Sequence, residues 1–191
     1  TQLRAFGMTA AQALSVYGAI HGMAFTVICF PACILQVVAE LLVPKLTELQ
    51  VQGRMERIRQ VCAFLLAKTL LYASVAAGAL FFAADWVSEH IYKTDDVAFY
   101  IRVLAPLMPV MFSDIVVDGC LKGLGEHVWC MGVNILESAV SVVLVYTLLP
   151  RLGLAAFIFI LYFDEMFNFL LSISRLVQVT KPESMSAAVP I

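Results

Sequence analysis

HGMAFTVICFPACILQVVAELLV, residues 21–43, decides the fold. Between His21 and Val43 the only carboxylate is Glu40, and no Lys or Arg interrupts the run. A helix needs about 20 mostly apolar residues to cross the hydrocarbon of a bilayer. This run supplies them inside a longer helical stretch from Ser15 to Gln50. Four more runs of that kind follow, at about 61–84, 103–121, 128–149 and 152–174. Alternating apolar and polar strand patterns are absent, which argues against a membrane barrel. The sequence therefore predicts an all-α, polytopic transmembrane bundle of about five spans over 15–178. Residues 1–14 are expected outside and 179–191 as a cytoplasmic tail.

Composition points the same way. Of 191 residues, 62% are hydrophobic and 14% charged, against about 45–50% and about 25% in soluble domains. A chain this short cannot hide that excess in a core and still present a polar outside. The net charge of −2 gives no electrostatic case for nucleic acid. Five cysteines, at 29, 33, 62, 120 and 130, form no C-x-x-C pair and read as small apolar residues within helices. A disulfide framework or metal site is the alternative. The chain opens on Thr1 without a signal-peptide pattern, as expected of a piece of a longer protein.

Orientation follows from Lys and Arg. Lys45, Arg54, Arg57, Arg59 and Lys68 surround the first connector, and Lys122, Arg175 and Lys181 fall on the same side by alternation. That places eight of the twelve basic residues inside, with Arg4, Lys93, Arg102 and Arg151 outside. Asp85, Glu89, Asp95 and Asp96 are assigned to an outer 2–3 loop. The N-terminus is expected out and the C-terminus in. Gly53 to Gln60 reads as a short interfacial helix with Met55 and Ile58 toward lipid, or as a solvated charge run.

Ionisable groups inside spans are costly and face protein or water. At about 100° per residue, Asp114, Asp118 and Lys122 share a stripe on span three. Asn134, Glu137, Ser138 and Ser141 share one on span four. Asp164, Glu165, Asn168, Ser172 and Arg175 cluster on span five, and Gln36 and Glu40 lie one turn apart on span one. Candidate cavity-lining residues are Gln36, Glu40, Asp114, Asp118, Asn134, Glu137, Glu165 and Asn168. The alternative is a buried polar seam that joins helices. Pro31 interrupts span one, and Pro106 and Pro109 fall in the first turns of span three. No H-E-x-x-H, G-x-S-x-G or phosphate-cradling loop is present. Asp114 and Asp118 share one helix face, unlike the opposed carboxylates of an aspartyl hydrolase. No enzymatic activity, cofactor or metal is expected.

The run Asp118-Gly-Cys-Leu-Lys-Gly-Leu-Gly-Glu126 resembles the D-G-x-L-K-G-L-G/N stretch of polysaccharide-biosynthesis membrane proteins related to stage V sporulation protein B. These belong to the multidrug/oligosaccharidyl-lipid/polysaccharide exporter superfamily. Phe30-Pro31-Ala32, Glu40 to Pro44, Ala105-Pro106, Asn134 to Glu137, Val145-Tyr146, Leu149-Pro150 to Gly153, Glu165, Asn168 and Ser172 to Leu176 follow the same family in order and spacing. The resemblance implies part of the second lobe of a two-lobed, alternating-access flippase in the bacterial cytoplasmic membrane. The implied cargo is a lipid-linked saccharide precursor of cell wall or spore cortex. The implied partners are the bilayer, that lipid-linked saccharide, and a first lobe or another copy. A cation-coupled multidrug exporter of the same superfamily and a non-transporting membrane scaffold are the alternatives.

Overall fold

A computed structural model describes residues 15, 17–93 and 96–181. The described residues contain five helices long and apolar enough to cross a membrane. Helix α1 runs over Gly18–Val51, opening with a π-helical stretch, Gly18–Ala24, before regular helix from Phe25. Helix α2 spans Met55–Tyr92 and ends in π geometry over Ser88–Tyr92. Helix α3 comprises Asp96–Leu104, a 3₁₀ turn at Ala105–Leu107 and Met108–Gly123. Helices α4, His127–Leu152, and α5, Leu154–Val179, complete the bundle. The chain is thus a multi-pass, all-α membrane protein whose outward side chains, such as Phe30, Phe82 and Val128, are large, apolar and exposed.

Several boundaries differ from the sequence reading. Helix α2 starts at Met55, so there is no separate interfacial helix at 53–60. Ile58 is fully buried rather than turned to lipid, because α2 already packs on the bundle in its first turn. At the other end α2 continues through Asp85 and Glu89 to Tyr92. The expected acidic 2–3 loop therefore shrinks to the residues around Lys93, with Asp95 outside the described residues. Pro106 and Pro109 lie within α3, not at its start, because Val97–Leu104 already forms helix beneath them. The expected segments 1–14 and 182–191 lie outside the described residues.

Helix α3 is the hub. Phe112, Val116, Val117, Cys120 and Leu121 are fully buried, and α1, α2 and α5 all pack against it. Two glycines bring α1 close. A Cβ on Gly119 would stand 2.8 Å from the Ala39 Cβ, and one on Gly123 would stand 2.9 Å from the Leu46 Cβ. This is the small-x-x-x-small solution to packing helices where lipid supplies no hydrophobic drive. The near approach lets the Thr47 hydroxyl donate to the Gly123 carbonyl at 2.9 Å and the Gln50 amide to the Leu124 carbonyl at 3.3 Å.

Tight connectors set the antiparallel order. After α1 the Arg54 amide donates to the Leu49 carbonyl and Gly53, at φ 68°, to that of Gln50. After α3 Glu126 donates to Leu121 and Gly125, at φ 81°, to Lys122. Both are Schellman closures, which need a left-handed residue just past the helix. Three tyrosine hydroxyls meet backbone carbonyls at the helix irregularities. Tyr92 donates to Met23 in the π stretch at 3.2 Å, Tyr72 to Pro31 at 3.1 Å, and Tyr162 to Val103 beside the 3₁₀ turn at 2.6 Å. Backbone groups loosened by irregular geometry need such partners in hydrocarbon.

Candidate functional site: a polar groove along α4

Helix α4 packs chiefly on α5 and touches α3 only sparsely. A groove opens as a result, in three clefts that share residues. The first, about 260 Å³, is lined by Gln36, Glu40, Asp118 and Lys122 with Ala39, Val43, Ile115 and Gly119. The second, about 450 Å³, runs from Lys122 past His127, Cys130 and Met131 to Asn134, Ile135 and Ser138. The third, about 550 Å³, takes in Asn134, Glu137, Ser138, Ser141, Val142, Val145, Tyr146 and Asp164. From His127 to Tyr146 the groove follows α4 for about 28 Å at 1.5 Å per residue. That approaches the full hydrocarbon thickness of about 30 Å.

The structure sorts the eight candidate residues into four groups. Gln36, Glu40 and Asp118 line the first cleft. Asn134 and Glu137 line the third. Asn168 stands behind that wall: its amide donates to Glu137 Oε2 at 2.8 Å, and its own Oδ1 accepts from the buried Ser172 hydroxyl at 3.2 Å. This relay fixes the rotamer of Glu137. Asp114 and Glu165 do not line the clefts. They are half-buried between α3 and α5, where Asp114 lies within electrostatic reach of Asp118, Glu165 and Glu137. Its Oδ1 is buried without a hydrogen-bond partner. Lys122 pairs with Asp118 at 3.3 Å across one helical turn.

Asp164 is a lining residue that the stripe on α5 announced but the candidate set omitted. It lines the third cleft beside Ser141, and its Oδ1 is buried and unpartnered. His127, Val145 and Tyr146 line the clefts but were not among the candidate lining residues. For Val145 the signal was available, because 134, 138, 141 and 145 fall at helical spacing on the same face of α4. Arg175, read as part of the α5 stripe, belongs elsewhere. It grips Glu126 with two nitrogens, at 3.0–3.2 Å, and lies over the Trp129 ring at 5.0 Å. That clasp ties the end of α5 to the start of α4.

Chemically the groove offers carboxylates, amides and hydroxyls, with a single lysine near one end and an exposed tyrosine near the other. Glu40, Asp118, Glu137 and Asp164 on its walls outnumber the lining lysine, Lys122, and low-dielectric surroundings magnify the imbalance. The wall is complementary to hydrogen-bond donors and cations. Among the described residues no group of three or more His, Cys, Asp or Glu side chains could hold a metal ion. Comparison with protein-family models, with curated proteins and with solved structures yields no match.

Proposed function

We propose that this chain forms one wall of an alternating-access transporter that moves the head group of a lipid-linked saccharide across the bacterial cytoplasmic membrane. The supporting observation is the groove itself. Its third cleft mixes apolar surface with the amide, hydroxyls and carboxylates of Asn134, Glu137, Ser138, Ser141 and Asp164 beside the Tyr146 ring, and together with the second cleft it follows α4 for most of the hydrocarbon thickness. Such groups match the hydroxyls and apolar ring faces of a sugar, and the carboxylates and amide among them are costly to leave facing lipid. The resemblance of Asp118 to Glu126 to polysaccharide exporters agrees with it. In this reading α4 and α5 carry the saccharide face, and a second lobe or another copy closes the groove from the opposite side. The basic end of the bundle faces the cytoplasm, with the N-terminus out and the C-terminus in.

The carboxylate excess favours a second reading, export of a small organic cation. One experiment separates the two. The chain is reconstituted in proteoliposomes with a fluorescent lipid-linked saccharide in one set and a fluorescent organic cation in the other. Saccharide flipping that is lost in Glu137→Gln, which keeps the Asn168 contact but removes the charge, supports the first reading. Cation uptake without flipping establishes the second. Movement of neither, by a correctly folded chain, leaves a membrane scaffold.

A further inference from the structure

Lys68 is the only Lys, Arg, Asp or Glu between Arg59 and Asp85 on α2. Its Cα stands about 10 Å past Val61, where the apolar run begins, at 1.5 Å per residue. The side chain is exposed, on a stripe of α2 that no other helix covers. Phe64, Leu71, Val75, Phe82 and Trp86 share that stripe and are all exposed, within about 60° of Lys68 around the helix. The Lys68 ammonium lies over the Phe64 ring, 5.5 Å from its centroid. Phe64 is one turn nearer the start of α2, so the ammonium leans toward the Met55 end. Arg57 is exposed on the same face, about 16.5 Å from Lys68 along the axis. Among the described residues no ion pair includes Arg57 or Lys68. The carboxylate next to Arg57, that of Glu56, accepts from Gln60 at 3.5 Å.

We propose that Arg57 and Lys68 hold the phosphate of an anionic phospholipid, in the leaflet at the Met55 end of α2, with its acyl chains along Leu71 and Val75. An ammonium left in hydrocarbon is costly, so Lys68 snorkels toward the nearer interface, and the Phe64 ring holds it on that course. Lys68 reaches the interface from the hydrocarbon side and Arg57 from the water side. The two cations thus bracket the level at which head-group phosphates lie. With no carboxylate to neutralise them, they favour a net negative head group over a zwitterionic one. A second helix is the poorer occupant, because helices in lipid meet closely through small residues, as at Gly119 and Gly123. On this stripe Ala79 is the one small residue among bulky ones. None of these residues lines the groove, so the lipid site stands apart from the transport reading.

The test follows thermal unfolding of the whole chain in phosphatidylcholine nanodiscs with and without phosphatidylglycerol. Wild type should melt several degrees higher with phosphatidylglycerol, and absence of any gain overturns the proposal. Lys68→Leu should lose most of the gain and Arg57→Gln part of it, whereas Lys68→Arg should keep it. Arg59→Gln removes a cation on the opposite face of α2 and should also keep it. A gain that survives Lys68→Leu overturns the proposal, as does one lost equally in Arg59→Gln, which would mark a diffuse surface potential. Inorganic phosphate added to phosphatidylcholine nanodiscs should do nothing; an equal gain there would assign the cations to free phosphate instead of lipid. Carbodiimide coupling of Lys68 to a carboxylate of another chain, in vesicles of the same lipids, would give the stripe to a second copy and equally refute the lipid site. Each variant is compared with itself in two lipids, so a general change in its stability cancels.

Discussion

Gly119→Ala is the most stringent probe of the bundle. The added Cβ would sit 2.8 Å from the Ala39 Cβ, 3.0 Å from its Cα and 3.1 Å from its carbonyl oxygen. Two of those neighbours are backbone, so no rotamer change relieves the clash. Carbon atoms prefer about 3.5–4.0 Å, so α1 and α3 must part by roughly 1 Å at the crossing. Overpacking of that kind costs about 1–3 kcal/mol, against up to about 1 kcal/mol gained from replacing a helical glycine by alanine. Parting the helices also strains the Thr47 bond to Gly123 at 2.9 Å, one turn away. The expected net loss is about 1–2 kcal/mol, read as a lower melting temperature of the detergent-solubilised chain. Gly132→Ala is the internal control, since its Cβ would meet nothing within 4 Å and should be neutral or mildly stabilising. Should the two variants melt alike, the close α1–α3 crossing is wrong.

Other expectations follow from single contacts. Tyr162→Phe strands the Val103 carbonyl beside the 3₁₀ turn and should cost about 1 kcal/mol of stability, visible as faster amide exchange around 103–107; unchanged exchange there would show that the hydroxyl does not brace the break. Gly153→Ala forces a side chain onto φ 57°, ψ −129°, a region reserved for glycine, and should cost about 1–3 kcal/mol in the same melting assay; a neutral result would refute the one-residue α4–α5 turn. Arg175→Ala leaves Glu126 unpaired, but both side chains are partly exposed, so the loss should stay near 1 kcal/mol or below and shrink in high salt; a salt-independent loss would assign the effect to Trp129 packing. Single cysteines placed at Arg57 and Lys93, in a background without native thiols, should react with impermeant maleimide from opposite faces of membrane vesicles, and labelling from one face would break the five-span order.

How far the sequence carried depended on which physics fixed each feature. Apolar run length is set by the bilayer, so five spans could be read directly from residues 21–174. Helix ends were harder. Val61 and Val103 looked like starting points because charges precede them, yet Arg57, Arg59 and Arg102 sit on helix faces that need not be apolar. Ile58 was turned outward for lack of knowledge of where α2 docks. The stripe on α4 was legible as far as Ser141 but stopped there, because Val145 and Tyr146 carry no charge to draw attention. Conversely, Asp114 and Glu165 look on the helical wheel like their stripe-mates, and only the packing of α3 on α5 moves them off the groove wall. Gln36 and Asp118 were both marked, but that they meet in one cleft depends on the Gly119 crossing, a three-dimensional fact.

The stretch Asp118 to Glu126 carries the family resemblance, and the structure gives most of its letters a mechanical task. Gly119 and Gly123 admit α1. Gly125 closes the helix at φ 81°, Leu121 is fully buried, and Glu126 anchors Arg175. Asp118 and Lys122 line the groove beside Gly119, and the two charges face it as a pair. Any chain that had to cross α1 over α3 this closely and then turn at once into α4 would need glycines at these spacings, whatever it carried. The motif therefore specifies the scaffold more than the cargo. Under the proposed transport function, cargo selection falls instead to Asn134, Glu137, Ser141, Tyr146 and Asp164 on α4 and α5, outside the Asp118–Glu126 run. Substitutions in the motif should then lower the amount of folded protein in the membrane, whereas Glu137→Gln or Asp164→Asn should leave that amount alone and change what crosses. If instead the groove variants lost expression as the glycine variants do, the polar face of α4 would be a packing seam, and transport would have to be sought on another surface.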